Sequence, residues 1–434
     1  MKNVILSAPT HIELVITEKC NHKCKHCYNS WRQDNKHRCS VSEENLEKIF
    51  EELILNKVNY VTLTGGEPLL EEELLFYIIE KLRANNIGIG LNTNLTLVSK
   101  PIIERLINQY NWGNTILTSL PGFTPEECDK ITQVAGSFNN ICNGIALCND
   151  YGVKVGVNVV IKRSMIDRLP ELIGFVKQNK IDMLSITRPV PPSYDQDNAD
   201  YNFNSSDLKQ IVDFMRRFHL ETGIRVTSLC AIPLCLITDA AVDFLSTKCT
   251  AGIISCTING VNGEVTPCAH NEVSYGNIYT ESLQEIWKHM ESWRNGTNIP
   301  KECHDCCMLS KCGGDCRLVQ KRIRELNYNL TSMKSSNSIA AQSDSHRFDI
   351  NEAYLYNHKT IIREEAFGAV VALGVNEFYI KDAAYKIIKE LSKMPVINKE
   401  SLTALCTINA SFITFMDNLI KSGIIYSFEE TDVP

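Results

Sequence analysis

No uninterrupted apolar run in this chain is long enough to span a bilayer, so an integral membrane protein built on helices is not expected. A cationic, hydrophobic leader is also missing. "MKNVILSAPTHIELV" passes straight into polar sequence, and a cytoplasmic location is the expectation. Positive charge is not in surplus either: 51 acidic residues outnumber 44 lysines and arginines, for a formal net charge of -7. That balance gives no electrostatic reason to expect a nucleic-acid partner. Nothing in the composition suggests disorder, since 44% of residues are apolar and 22% charged. The 434 residues can bury large cores, and two or three domains are the expectation. Cysteine, by contrast, is abundant, with eighteen in the chain. In a compartment that keeps thiols reduced, such a number points to metal or catalytic use rather than to disulfides.

The cysteines are unevenly spread. Cys20, Cys24 and Cys27 form C-x3-C-x2-C in "CNHKCKHCY". Cys249, Cys256, Cys268, Cys303, Cys306, Cys307, Cys312 and Cys316 form a second block. Cys39, Cys128, Cys142, Cys148, Cys230, Cys235 and Cys406 are scattered and read as small buried hydrophobes without a metal role. A three-thiol loop poses a question, because tetrahedral metal sites and cubane clusters take four ligands. The loop follows a predicted strand, Ile12 to Ile16. A second predicted strand, Val58 to Thr64, runs into "GGEP". Further strands are expected at Ile87–Asn92, Thr115–Leu120, Val153–Ile161 and Asp182–Val190. Helical stretches such as "SEENLEKIFEELILN" and "LPELIGFVKQN" lie between them. This alternation builds a parallel sheet with right-handed crossovers. About six units favour an open, partial (β/α)6 TIM-type barrel, with the cysteine loop at the carboxyl end of the first strand, where ligands of α/β folds bind.

The triplet, the aromatic Tyr28 after it and "GGEP" after the second strand together resemble the radical S-adenosylmethionine enzymes, over roughly residues 9 to 215. The resemblance implies that Cys20, Cys24 and Cys27 hold three irons of a [4Fe–4S] cluster. The fourth iron is then left for the amino and carboxylate groups of S-adenosylmethionine. It also implies that Gly65, Gly66 and Glu67 face the methionine amino group and that Tyr28 lies near the adenine. Asn92, Thr93, Ser119 and Asn158 become candidate contacts to ribose and carboxylate. The family's common "SIDG" after the fourth strand is "TSLPG" here, so Pro121 stands where an acid is usual and no role for that acid carries over. A zinc knuckle borrowing His22 or His26 accounts for the cysteine spacing but not for "GGEP".

The second block reads C-x13-G-x4-C for Cys249, Gly263 and Cys268, then C-x2-C-x5-C-x3-C for Cys303, Cys306, Cys312 and Cys316. "NGVNGEVTPC" reads as a hairpin with Asn262–Gly263 in a type I′ turn. With "GNIYTESLQEIW", the block resembles the SPASM domain, over roughly residues 249 to 330. That resemblance implies two auxiliary [4Fe–4S] clusters. The first takes Cys249, Cys256, Cys268 and Cys316, and the second takes Cys303, Cys306 and Cys312. A further cysteine is expected after Cys316, yet none occurs between 317 and 405. Asp344, His346, Cys307 or an open iron remain as alternatives. Two structural zinc sites are the competing reading of the block.

After Cys316, "LTSMKSSNSIAAQSDSH" is polar and aperiodic and reads as a linker. Beyond it, "AFGAVVALGVNEFYI" reads as a hairpin turning at Gly374 to Asn376. Helices capped by Asp382, Asn398 and Asn409 follow, and "IIYSF" returns as a strand. The order is similar to the small winged-helix-like α+β peptide-recognition module of ribosomal-peptide maturases, of the kind found in the pyrroloquinoline quinone peptide chaperone. The expected organisation is a barrel at 1–240, a SPASM domain at 241–330, a linker at 331–351 and the module at 352–434. The expected function is a radical enzyme with three [4Fe–4S] clusters and S-adenosylmethionine. It would crosslink, by thioether or carbon–carbon bond, a precursor peptide held by its leader. An external electron donor such as a flavodoxin or a ferredoxin would serve it. No catalytic residue is assigned, and no membrane or nucleic-acid partner is expected. The alternatives are an anaerobic sulfatase-maturing enzyme, a SPASM enzyme acting on a small-molecule cofactor precursor, and a non-enzymatic iron–sulfur carrier.

Overall fold

The first strand, β1 (His11–Thr17), turns its Ile12, Leu14 and Ile16 side chains into an apolar core and its Glu13 to the opposite side. The computed structural model describes residues 5–29, 38–190, 199–234, 248–306, 309–319, 348–374 and 376–427. Strands β2 (Tyr60–Gly65), β3 (Gly88–Asn92), β4 (Ile116–Ser119), β5 (Val155–Val160) and β6 (Met183–Thr187) follow at the expected positions, all parallel. Val61, Leu63, Ile89, Leu91, Ile116, Val157, Val159, Leu184 and Ile186 share one buried face, while the other face carries polar residues such as Thr62, Asn92 and Asn158. The helices between them are amphipathic. In α1 (Glu43–Leu55) the side chain of Ser42 accepts from the amide of Asn45, and Leu46, Ile49, Phe50 and Leu53 face inward. Six helices complete the crossovers and the strand order: α2 (Glu72–Ala84), α3 (Lys100–Asn108), α4 (Pro125–Thr132), α5 (Ser137–Asp150), α6 (Glu171–Gln178) and α7 (Ser205–Thr222). Their inner faces and the strands form one core cluster. This is the partial TIM-type barrel that the alternation implied. Among the described residues, no helix is long and apolar enough to cross a membrane.

Two features of the sheet were not anticipated. A short strand, β7 (Arg225–Thr227), extends it beyond β6. On the other side β8 (Ser255–Asn259) pairs in parallel with β1, and β9 (Val265–Thr266) returns against β8, so the order is β7-β6-β5-β4-β3-β2-β1-β8-β9. The second cysteine block therefore grows from the barrel sheet itself. The β8–β9 connection is not the expected type I′ turn. It is a four-residue loop, Gly260 to Gly263, in which the Gly263 amide donates to the Asn259 carbonyl at 2.7 Å. Gly263 has φ +80° while Asn262 is not in the left-handed region, and type I′ needs both. A β-carbon at Gly263 would lie 2.4 Å from Asn277 and Tyr279. Those residues open the "GNIYTESLQEIW" segment. That segment runs into α8 (Leu283–His289), where the Leu283 amide donates to Glu52 at 2.8 Å and the Trp287 indole donates to the Leu6 carbonyl at 2.9 Å.

The C-terminal module has its own apolar core around Phe348, Tyr354, Val371, Ile388, Met416 and Ile425. β10 (Tyr354–Tyr356) pairs with β14 (Ile425–Ser427). The expected hairpin is β12 (Gly368–Leu373) and β13 (Asn376–Lys381), but a third strand, β11 (Ile361–Glu365), precedes it. Helices Asp382–Leu391, Lys399–Leu405 and Ala410–Lys421 follow. Asn398 and Asn409 cap theirs as expected. Asp382 does not: Lys381 takes the cap position, and Asp382 lies in the first turn, where its charge suits the helix dipole. Most of the expected linker, residues 331–347, lies outside the described residues.

The module is seated on the barrel. The β11–β13 sheet lies between the module's helices and the amino ends of the barrel strands, the floor opposite the cysteine loop. Arg363 is buried at this junction. It donates to the carbonyls of Ala8 (2.8 Å), Pro9 (3.0 Å) and Asn56 (2.9 Å) and to Glu365 (2.8 Å). Glu365 in turn accepts from the Ser7 amide at 2.9 Å, and Glu377 accepts from Asn59 at 3.3 Å. Lys57 donates to the Ile362 carbonyl at 2.7 Å. Removing one partner of a buried ion pair costs about 3–5 kcal/mol, because the other charge is stranded. Arg363→Ala is therefore expected to lower unfolding stability by about 3 kcal/mol or more in denaturant titration. A change within about 0.5 kcal/mol, the range of ordinary surface substitutions, would show that the module does not bear on the barrel floor.

Candidate active site

The Cys20–Cys27 loop leaves the carboxyl end of β1 and is braced on three sides. From β2, the Gly66 amide donates to the Thr17 carbonyl at 2.7 Å and the Glu67 amide to the Lys19 carbonyl at 2.8 Å. A β-carbon on Gly66 would stand 2.1 Å from the Lys19 carbonyl oxygen and 2.9 Å from the Cys20 β-carbon. From β3, Asn94 donates to Asn21 at 2.8 Å, and Asn21 donates to Thr96 at 2.8 Å. From the end of α4, the Thr132 and Ile131 carbonyls each accept at 2.9 Å, from the amides of Lys23 and Lys25. Within the loop the His22 amide donates to the Cys20 sulfur at 3.4 Å, a contact that favours thiolate. All three thiols are partly accessible. His26 is held near pKa 4 by burial and by Lys162, so it carries no positive charge at neutral pH.

Glu67 does not present a free carboxylate. It is fully buried, and its oxygens accept from the Leu69 amide (2.9 Å), the Thr93 hydroxyl (2.6 Å) and the Asn94 amide (2.7 Å). Its side chain, with Thr93, ties the β2 exit to the β3 exit, so both are positioning residues. Asn92, Ser119 and Asn158 fall on one face of the sheet by register and alternation. Asn158 accepts from Thr187 at 2.7 Å, which fixes its amide.

That face carries a cluster that sequence reasoning missed. Glu13 accepts from Thr257 at 3.5 Å and from the Tyr28 hydroxyl, and burial pushes its carboxyl up to about 7. Tyr28 also bonds Thr64, and its ring lies 4.8 Å from that of His270. The loop of the first cysteine block and the end of the SPASM hairpin therefore meet over β1. The available signal was the acid in "HIELV", at a strand position whose neighbours on either side are apolar.

In the second block, Cys249, Cys268 and Cys316 come together. Burial raises the Cys249 and Cys268 thiols, and the nearby Cys316 raises both further. A bound metal center reverses that preference, because a coordinating thiol is deprotonated outright. Two buried cations flank the group. Arg317 bonds Cys249, while its Nε and Nη1 have no partner among the described residues. Arg188 is paired with Asp315 and donates to the Ala231 carbonyl at 2.6 Å, and its Nε is likewise unpartnered. Buried donors of this kind fit an anionic cluster. Cys256 is not brought to the group. Its register partner on β1 is Ile12, and it lies 1% exposed in the apolar core, on the face away from Thr257 and Glu13. Cys230, read as a bland core residue, instead bonds Cys316. Cys303 and Cys312 lie on short helical turns at 301–304 and 309–312, and Cys306 follows the first of these turns. The next residues, Gly313, Gly314 and Asp315, all have positive φ and turn the chain to Cys316. Cys307, Asp344 and His346 lie outside the described residues. Among the described residues, no three His, Cys, Asp or Glu side chains converge closely enough for a single metal ion.

Gly66→Ala is expected to push the cysteine loop off β2, at a cost of about 1–3 kcal/mol for overpacking. Reconstituted Gly66→Ala should show reduced iron loading of the first site with the far-UV spectrum unchanged. Full loading would contradict the close approach.

Comparison with known proteins agrees with this geometry. Residues 14–176 match the Radical SAM superfamily, and residues 249–307 match the SPASM iron–sulfur cluster-binding domain. GTP 3',8-cyclase of Rhizobium etli is 26% identical over 216 residues, 49% of this chain and 61% of that protein. The chain thus spans about six-tenths of the length of that relative. Mycofactocin maturase MftC of Mycolicibacterium smegmatis is 25% identical over 72% of this chain and 79% of its own length. Among solved structures, Streptococcus suis SuiB bound to precursor peptide SuiA superposes with a TM-score of 0.59 at 19% identity, covering 76% of each chain. The radical SAM domain implies S-adenosylmethionine and a [4Fe–4S] cluster, and the SPASM domain implies auxiliary iron–sulfur clusters. The sheet, the braced three-cysteine loop and these matches agree: the chain carries a Radical SAM domain followed by a SPASM domain.

Proposed function

We propose that the chain is a peptide maturase: it abstracts hydrogen from a ribosomally made precursor and installs a crosslink, as thioether or carbon–carbon bond. The observation that carries this reading is the pairing of the three-thiol loop with a further module seated on the same barrel. MftC is named a mycofactocin maturase and SuiB is solved bound to the precursor peptide SuiA, each similar over 70% or more of this chain, which supports the substrate class. Cys20, Cys24 and Cys27 hold the first cluster, and two auxiliary clusters bring the total to three. When bound, cluster and S-adenosylmethionine together supply a 5′-deoxyadenosyl radical after one-electron reduction by a flavodoxin- or ferredoxin-like donor.

The chain's residues position and enclose. Gly65 and Gly66 bring backbone to the methionine end, where Glu67 and Thr93 hold the loops in register. Asn92, Ser119 and Asn158 offer polar contacts along the barrel mouth. Tyr28, held by Glu13 and His270, closes the side toward the auxiliary clusters and leaves a dry approach for substrate. A cytoplasmic setting keeps the thiols reduced.

The leader is held by the C-terminal module, whose strand β13 has no second strand partner among the described residues and offers an edge for β-augmentation. The module lies at the floor and the cysteine loop at the mouth. β1, seven residues long, spans about 23 Å at ~3.3 Å per residue. A substrate anchored at the floor needs roughly ten or more extended residues to reach the mouth outside the barrel wall.

Two measurements test this. Cys24→Ala should abolish 5′-deoxyadenosine formation under dithionite while iron in the auxiliary sites persists; retained cleavage sinks the assignment. With a short peptide encoded beside this chain's gene as substrate, deleting residues between leader and core should stop modification once the spacer falls below about ten residues. Undiminished modification with a much shorter spacer would overturn leader capture at the floor.

A further inference from the structure

Cys230 was expected to do nothing but pack. The segment that carries it, leaving β7, runs along the second cysteine block. Ser228 donates to the Cys230 carbonyl at 2.9 Å, and the Leu229 amide donates to Thr187 at 3.1 Å. The Ala231 carbonyl accepts from Arg188 at 2.6 Å, and the Leu234 amide donates to the Cys312 sulfur at 3.5 Å. Four contacts within seven residues fix this stretch against the barrel on one side and the cysteine block on the other. At its center Cys230 is 7% exposed, and its thiol bonds that of Cys316.

Cys316 is the residue that Cys249 and Cys268 also face. The Cys316 thiol thus hydrogen-bonds Cys230 and lies within electrostatic range of Cys249 and Cys268. Cys256, the expected fourth member, lies across the sheet with Ile12. A strand side chain cannot reach the other face without flipping its whole strand, which would also turn Thr257 away from Glu13. The surroundings agree in charge. Arg188 lies beside both Cys230 and Cys316, and Arg317 bonds Cys249. Each guanidinium keeps at least one buried N–H without a partner among the described residues. Unsatisfied buried donors are costly, and a cluster with four thiolates and inorganic sulfides offers acceptors for them.

We propose that Cys230 is the fourth thiolate of the first auxiliary cluster, with Cys249, Cys268 and Cys316, and that Cys256 is a core residue. Arg188 and Arg317 then balance its charge from two sides. The assignment rests on the reading that the SPASM region holds a cluster at this position.

The test uses the full chain with Cys20, Cys24 and Cys27 changed to alanine, so that all iron belongs to auxiliary sites. The protein is reconstituted anaerobically with iron and sulfide. Iron is counted, and the EPR spectrum of the dithionite-reduced protein is recorded. Adding Cys256→Ser is expected to leave iron content and g-values unchanged. Adding Cys230→Ala is expected to remove about four irons or leave a three-iron signal. Cys230→Ser, close in size and able to ligate through oxygen, should retain iron with shifted g-values. It gives the same readout if the alanine variant fails to fold. An unchanged spectrum in Cys230→Ser overturns the proposal, as does loss of a cluster in Cys256→Ser. A Cys230–Cys316 disulfide recovered from the loaded protein by non-reducing peptide mapping would overturn it too. A parent variant without iron overturns the auxiliary-cluster reading itself, and that outcome is distinct from the others.

Discussion

Gly66 lies so close to the Lys19 carbonyl and the Cys20 β-carbon that no side chain fits between them. Through this approach the exit of β2 and the start of the cysteine loop share backbone hydrogen bonds, as if the two strands went on pairing past their ends. The rest of the site is arranged around that junction. Glu67, the next residue, spends its carboxylate on Thr93 and Asn94, which carries the restraint to β3. Asn94 reaches back to Asn21 inside the loop. A loop with three thiolates and no fourth would otherwise have little to define its shape before a cluster binds. The fold supplies that definition through backbone contacts, which do not depend on the metal being present.

The sheet also links the two cysteine blocks. Because β8 pairs directly with β1, the hairpin that delivers Cys268 is continuous with the strand that delivers Cys20. Glu13, Thr257, Tyr28 and His270 fill the space between them. The distance between the sites is thereby set by sheet geometry rather than by a hinge. The C-terminal module obeys the same logic at the other end. Its sheet closes the floor of an open barrel, with Arg363 satisfying three carbonyls that the strand starts leave unpaired.

Much of this was legible in the sequence. Apolar runs alternating with amphipathic helices marked β1 to β6, and Asn398 and Asn409 marked helix starts through local chemistry. Clustered cysteines with short gaps marked the sites. What could not be read depended on long-range register. Cys256 and Cys230 are both single cysteines near strands. Only the pairing of Cys256 with Ile12, and the path of the chain after β7, decide which of them faces other thiols. The Asn262–Gly263 pair suggested the wrong turn, because Gly263 is needed for its packing against Asn277 and Tyr279 as well as for its φ. The polar stretch before residue 348 reads as a linker and gives no sign that the module docks, since a junction of a few charged side chains and backbone groups leaves no periodic trace.

The central claim is that the Cys20, Cys24 and Cys27 site keeps one iron open for the methionine end of S-adenosylmethionine. Pulsed ENDOR on the reduced protein with S-adenosylmethionine carrying ¹⁵N at the amino group tests it most directly. A resolved ¹⁵N hyperfine coupling, present in the wild type and absent when the three cysteines are alanine, is the expected result. No coupling in a wild-type sample whose first cluster is fully loaded would contradict it.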